Sequence, residues 1–184
     1  ELVCSDVKIS SNPEDIELSD RIILPGVGSF YEGMDNLRKK GFIEKIQNHC
    51  IEKEKPLLGI CLGMHLLADS GTENGNCKGL GIINGTVDIM PFSKKERSIH
   101  IGWNEVKYKK HYIFSDIKQC SDFYFVHKYC FTPTKLENSI ATTDYAGGFT
   151  SAISYKNIVA TQFHPEKSHQ FGMQLLQNFC EFLI

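Results

Sequence analysis

The 184-residue chain predicts an α/β fold, a doubly wound and mostly parallel sheet with a β-rich middle. Three observations carry that prediction. Apolar runs of strand length recur at 21–24, 57–60 and 158–160, each followed by a turn containing glycine or proline. Segments of helical character follow those turns, so strands and helices alternate. Residues 79–154 instead hold alternating stretches such as Thr86-Val87-Asp88-Ile89 and Phe123-Tyr124-Phe125-Val126.

Taken in order, residues 3–9 and 21–24 read as strands. Ser29-Phe30-Tyr31-Glu32 has the spacing of a capping box, so a helix starts there. Residues 29–53 read as one or two helices broken near Gly41. The strand at 57–60 runs into a helix at 62–69. The last helix begins at Ser168, a residue type suited to the N-cap. Phe171, Leu175, Phe179 and Leu183 recur every four residues along it and form one core-facing stripe. There is no linker, repeat or low-complexity segment, so residues 1–184 are expected to form a single domain. A chain of this length buries roughly 70% of its unfolded surface.

Composition narrows the class. Hydrophobic residues make up 41% and charged residues 23%, ordinary values for a globular protein. Twenty Lys and Arg against 22 Asp and Glu leave a net charge of −2 with no basic stripe, which argues against nucleic acid. The Lys39-Lys40 and Lys94-Lys95 pairs read as solvated faces. Seven cysteines without CxxC spacing point to a reducing compartment, hence a cytoplasmic location. The apolar run 56–68 is too short to span a membrane.

The most informative stretch is Gly59-Ile60-Cys61-Leu62-Gly63-Met64-His65. It reads as a buried strand entering a tight glycine-flanked turn that opens a helix. That is nucleophile-elbow geometry with cysteine in place of serine. The glycines on either side leave room for a strained turn, and the amino terminus of the helix favours thiolate. Taken alone, the pentapeptide fits a buried structural cysteine equally well.

The balance tips at Thr161-Gln162-Phe163-His164-Pro165-Glu166-Lys167-Ser168. Pro165 keeps this segment extended, so His164 and Glu166 point to one side. A cysteine nucleophile needs an imidazole to take its proton, and the imidazole needs a carboxylate to orient it. A third stretch, Ile22-Ile23-Leu24-Pro25-Gly26-Val27-Gly28, ends in a glycine turn. It lacks the spacing and the lysine of a phosphate loop. It fits an oxyanion hole better, with the amides of Val27 and Leu62 as donors.

With these residues in place, the chain resembles the class I (triad) glutamine amidotransferases. More narrowly, it is similar to the glutaminase subunit of imidazole glycerol phosphate synthase. The motifs are PGVGSF at 25–30, GICLGMH at 59–65, IGWNEV at 101–106, FYFVHKY at 123–129, ATTDYAGGF at 141–149 and QFHPEKS at 162–168. The resemblance implies a flavodoxin-like sheet of that family's type with β-rich insertions. It also implies a triad of Cys61 as nucleophile, His164 as general base and acid, and Glu166 as orienter. Glutamine would be held by Gly26, Gly28, His65, Glu73 (at its α-amino group), Lys128 and Tyr129 (at its α-carboxylate). Trp103, Asn104, Tyr124 and Lys167 would meet a (β/α)8-barrel cyclase in a heterodimer, which receives the ammonia. No cofactor and no metal is implied.

The chain departs from that pattern at His65, where Gln is usual, at Lys128 in place of a small hydroxyl residue, and at Cys130. These departures keep open a paralogue that supplies ammonia for aminating a surface sugar. A non-catalytic subunit is a further reading, against which the complete triad counts. A metal site of Cys61 and His65 with His127 or His164 has tolerable spacing. The cysteine, however, precedes regular helix there. The family's first strand and helix have no counterpart, residues 1–4 aligning best with its second strand. The sequence is therefore expected to be a truncated form of the protein.

Overall fold

The computed structural model describes residues 3–4, 6–92 and 98–181; Lys94-Lys95 and Leu183 lie outside them. Its strands are β1 (Ile22–Gly26), β2 (Leu57–Cys61), β3 (Ser70–Gly71), β4 (Cys77–Lys78), β5 (Gly85–Ile89), β6 (His100–Tyr108), β7 (Ser121–His127), β8 (Tyr129–Pro133), β9 (Ser139–Thr143), β10 (Phe149–Tyr155) and β11 (Ile158–Thr161). Its α-helices are α1 (Asp15–Leu18), α2 (Phe30–Lys39), α3 (Phe42–Gln47), α4 (Leu62–Leu66) and α5 (His169–Glu181). No helix among the described residues is long and apolar enough to cross a membrane.

Seven strands form the main sheet in the order β1-β2-β11-β10-β9-β6-β7. Its parallel part is β1, β2 and β11, and the strands beyond β11 join it antiparallel. Of the β-rich middle, β6, β7, β9 and β10 extend this sheet, and their antiparallel pairing makes it mixed where a mostly parallel sheet was expected. A smaller sheet, β4-β3-β5-β8, packs beside it.

β2 is buried along its whole length. Successive side chains of a strand face opposite sides, and here both sides are covered. Leu57 packs with Phe30, Met34 and Ile46 of α2 and α3. Leu58 and Ile60 pack on the other face with Phe123, Phe163, Leu175 and Phe179. Helices on both faces are what the doubly wound prediction requires, and each buried leucine contributes about 2 kcal/mol.

Four further sequence expectations need correction. Pro165 does not keep its segment extended: Pro165–Lys167 form a 3-10 turn, which proline at the first position favours, with Lys167 N–H donating to His164 O and Ser168 N–H to Pro165 O. Residues 6–9 are irregular where a strand was predicted; Val7 and Ile9 are exposed, and the segment pairs with no strand among the described residues. α4 ends at Leu66, three residues early, because the chain at 80–83 takes over its carbonyls. Leu80 N–H donates to Leu66 O, and Ile82 N–H to Leu67 O. Ser168 does stand just before α5, but its hydroxyl donates to the His164 carbonyl at 2.6 Å and accepts from Tyr124 N–H at 3.0 Å. The break at Gly41 falls as predicted, with φ of 74°.

Candidate active site

Cys61 is the last residue of β2 and stands immediately before α4. Its backbone has φ 52° and ψ −106°, an unfavourable conformation for a non-glycine residue, costing on the order of 1–3 kcal/mol. The flanking glycines explain how the turn is tolerated. A Cβ at position 63 would lie 1.8 Å from the carbonyl oxygen of Leu24, and one at 59 would lie 2.9 Å from the carbonyl oxygen of Gly63. The elbow therefore presses helix onto strand at a distance only glycine allows.

Register then assembles the site. Cys61 pairs with Gly26 across β1 and β2, so the glycine turn lies beside the nucleophile. Val27 is exposed there, and Gly28 has φ of 103°. The side chain of Leu62 packs against Gly26. Ser29 caps α2 by accepting from Glu32 N–H. Glu73 accepts from Phe30 N–H at 2.8 Å, which sets its carboxylate at the start of α2, two residues beyond the turn.

The segment after β11 carries the second half of the expected triad. His164 is buried, and its Nδ1 lies 2.7 Å from Oε1 of the half-exposed Glu166. Its amide donates to the Tyr124 carbonyl, and the Ser168 hydroxyl holds its own carbonyl. The imidazole is thus fixed by backbone and side chain together. Its Nε2 is buried without a hydrogen bond of ordinary geometry. Interaction with Cys61, and then with Glu166, raises its pKa to about 9. Burial pushes the Glu166 carboxyl up, yet the bond from His164 brings it below its usual value. An imidazole that basic, oriented by a carboxylate and facing a thiol, is equipped to form a thiolate–imidazolium pair.

His65 is buried in α4 with its Nε2 2.6 Å from Oε1 of Gln162. Gln162 Nε2 in turn lies 3.8 Å from the Cys61 sulfur. Burial pushes the His65 pKa down to about 4. The sequence reading assigned Gln162 no role. The only signal was proximity, two residues before His164; the extended run expected through Glu166 is not formed, because Pro165–Lys167 is a 3-10 turn that folds the Glu166 carboxylate back onto His164.

Lys128 is exposed and Tyr129 half-buried where β7 passes into β8. The Lys128 carbonyl accepts from Met90 N–H, and the Tyr129 carbonyl lies 2.9 Å from Nδ1 of His127. Trp103, Tyr124 and Lys167 meet on one surface. Trp103 stacks on His169 at 4.7 Å and meets the Tyr124 ring edge-on at 5.9 Å, while Lys167 Nζ lies 5.8 Å from the same ring. Asn104 does not join them. Adjacent residues of a strand face opposite ways, and its side chain instead reaches Nε2 of His100 at 3.4 Å. Among the described residues no three His, Cys, Asp or Glu side chains gather as a metal site.

Comparison with known proteins agrees with this geometry. The family described as Glutamine amidotransferase class-I matches residues 2–182. The imidazole glycerol phosphate synthase subunit HisH 2 of Methanococcus maripaludis is 46% identical, over 96% of this chain and 87% of that protein. The subunit HisH 1 of the same organism is 38% identical, over 100% and 91%. A crystal structure of a glutamine amidotransferase superposes with a TM-score of 0.70 at 19% identity, covering 95% of this chain and 84% of the other. An elbow cysteine and a buried histidine paired to a glutamate on this fold, with matches spanning nearly the whole chain, place the protein in the class-I glutamine amidotransferase family.

Proposed function

We propose that this chain is the glutaminase subunit of an imidazole glycerol phosphate synthase, a single amidotransferase domain acting in the cytoplasm. It hydrolyses L-glutamine and passes ammonia to a (β/α)8-barrel cyclase in histidine biosynthesis. The observation that carries the reading is Cys61 at the strained elbow beside the His164–Glu166 pair at 2.7 Å.

In this reading the Cys61 thiolate attacks the side-chain carboxamide carbon of glutamine. The amides of Val27 and Leu62 take up the charge on the oxygen, a contribution of about 3 kcal/mol for one donor. His164 then gives its proton to the leaving nitrogen, and ammonia departs from a thioester. His164 next removes a proton from water, the new tetrahedral species expels the thiolate, and glutamate is released. Glu73 holds the α-amino group, and the backbone at Lys128 and Tyr129, together with Gly26 and Gly28, frames the rest of the substrate. The patch of Trp103, Tyr124 and Lys167 meets the barrel, so ammonia crosses without becoming the non-nucleophilic ammonium ion.

The test is glutamate release from glutamine by the chain alone and with the barrel subunit of its own organism plus the ribonucleotide acceptor. Strong stimulation supports the reading. Cys61→Ala should abolish glutamine-dependent turnover yet leave turnover of the complex with ammonium salts. Retained glutaminase activity in that variant would refute the mechanism.

A second reading is a paralogue serving another acceptor, such as a surface sugar. It is favoured by His65, buried and bonded to Gln162 at the position where the family usually carries Gln. Labelling of Cys61 by a glutamine-analogue electrophile without stimulation by the cyclase would select it.

A further inference from the structure

Gln162 is wholly buried between the nucleophile and His65. Its amide oxygen, 2.6 Å from His65 Nε2, can only accept, so the proton of this neutral imidazole sits on Nε2 and donates. That bond fixes which way the amide points. Its oxygen faces the histidine, and its NH2 group faces the Cys61 sulfur at 3.8 Å. Gln162 and His164 thus approach one sulfur from the segment after β11, two residues apart.

We propose that Gln162 is a catalytic residue that donates a hydrogen bond to the Cys61 thiolate, and that His65 is a positioning residue that sets the direction of its amide. The proposal rests on the reading of Cys61 as the nucleophile. Donation favours the charged sulfur over the neutral thiol. Its second use comes when the thioester is hydrolysed. As the carbon–sulfur bond breaks, the electron pair returns to sulfur, and the Gln162 NH2 group meets the thiolate that leaves. The proton from the attacking water has by then gone to His164, so no proton is needed at sulfur.

The surroundings offer few competing influences. His164, with Glu166 behind it, faces the sulfur from the segment after β11, and the Val126 carbonyl lies 4.0 Å away at the end of β7. His65 from α4 and the adjacent His127 complete the titratable groups, and burial lowers the pKa of each, to about 4 and about 3. Both are neutral at the working pH, which leaves the Gln162 amide as an uncharged donor whose effect can be isolated.

The experiment uses the native chain, Gln162→Met, His65→Gln and His65→Leu. It measures iodoacetamide alkylation of the Cys61 peptide against pH and glutamate release in the complex with the barrel. Gln162→Met keeps the shape and loses the donor. It should move the half-maximal alkylation pH up by about one unit and slow glutamate release about tenfold. His65→Leu should do the same. His65→Gln retains an N–H for the amide oxygen and should recover both readouts to within about threefold.

Thermal unfolding of each variant separates loss of fold from loss of the contact. An unshifted alkylation profile in folded Gln162→Met overturns the proposal, and so does a His65→Gln variant indistinguishable from His65→Leu. Alkylation does not depend on glutamine. A native chain that releases no glutamate, while Gln162→Met still shifts the profile, would sink the glutaminase reading and leave this contact standing.

Discussion

His100 donates from Nδ1 to Nε2 of His127 across 2.9 Å, and both rings are buried. The direction follows from the far end. The Tyr129 carbonyl can only accept, so His127 carries its proton on Nδ1 and accepts at Nε2. His100 must then accept at its own Nε2, which is where the Asn104 amide donates. Tyr145 and Phe125 stack on His100 at 4.0 and 4.7 Å. The chain of bonds runs one way, from β6 to the segment proposed to grip the substrate carboxylate.

This pair predicts acid lability. Burial pushes His100 to a pKa of about 4, and chiefly burial pushes His127 to about 3, against about 6.5 for an unfolded histidine. Between those values the unfolded chain binds protons that the folded chain refuses, so stability is full above pH 6.5 and falls as pH drops toward 4. The melting temperature should decline across that interval. His127→Asn should flatten the decline by removing one such group. A native melting temperature that stays level from pH 6.5 to 4.5 would contradict the neutral pair.

His164 predicts the opposite slope on the alkaline side. Its folded pKa, raised to about 9 by Cys61 and then Glu166, lies above the unfolded value. The stability it contributes is therefore fully present below about pH 6.5 and is lost as pH rises through 9. Cys61→Ala removes the larger influence and should weaken that alkaline loss. Glu166→Ala should weaken it less, and should slow glutaminase turnover less than Cys61→Ala does, because an unoriented His164 still acts as a base. Melting curves from pH 7 to 10 provide the check.

Gly63→Ala should be severe without touching any substrate. The added methyl would meet the Leu24 carbonyl oxygen at 1.8 Å, and that oxygen belongs to β1, which cannot retreat without leaving β2. Overpacking of this kind costs roughly 1–3 kcal/mol or more. In a domain of this size that lowers the melting temperature by about 5 °C. Gly75→Ala, where nothing lies within 4 Å, is the control; its φ of 107° still carries strain, but no clash.

Much of this site could be read from local sequence, and the reason is its spacing and punctuation. Cys61 lay between two glycines after an apolar run, and His164 and Glu166 were two apart across Pro165, although a 3-10 turn and not the expected extended segment brings them together. Those are short-range constraints. Gln162 stands two residues before His164 and was overlooked because a lone buried amide has no chemistry until its partners are known. The His100–His127 pair was not legible at all, since it depends on the register of β6 against β7, which one sequence does not state. Residues 6–9 had strand character, but a strand forms only where a neighbour pairs with it. Asn104 was grouped with Trp103 by the family resemblance, whereas strand geometry turns the two side chains to opposite faces of β6.

That opposition gives the last prediction, which separates partner binding from substrate binding at consecutive residues. Trp103 is 46% exposed and stacks on His169, so its ring presents a rigid aromatic face to solvent. Aromatic anchors of this kind cost about 2 kcal/mol or more when truncated in an interface. Trp103→Ala should weaken binding of the barrel subunit at least tenfold while leaving the melting temperature of the free chain nearly unchanged. Asn104→Ala removes the first donor of the chain through His100 and His127 to the Tyr129 carbonyl. It should leave partner affinity within about threefold and raise KM for glutamine more than it lowers kcat, because the disturbed segment is the one proposed to contact the α-carboxylate rather than the reacting carbon. Titration of the two subunits, followed by steady-state glutaminase kinetics at saturating partner, measures both effects. Equal loss of partner affinity in the two variants would show that the faces are not functionally distinct.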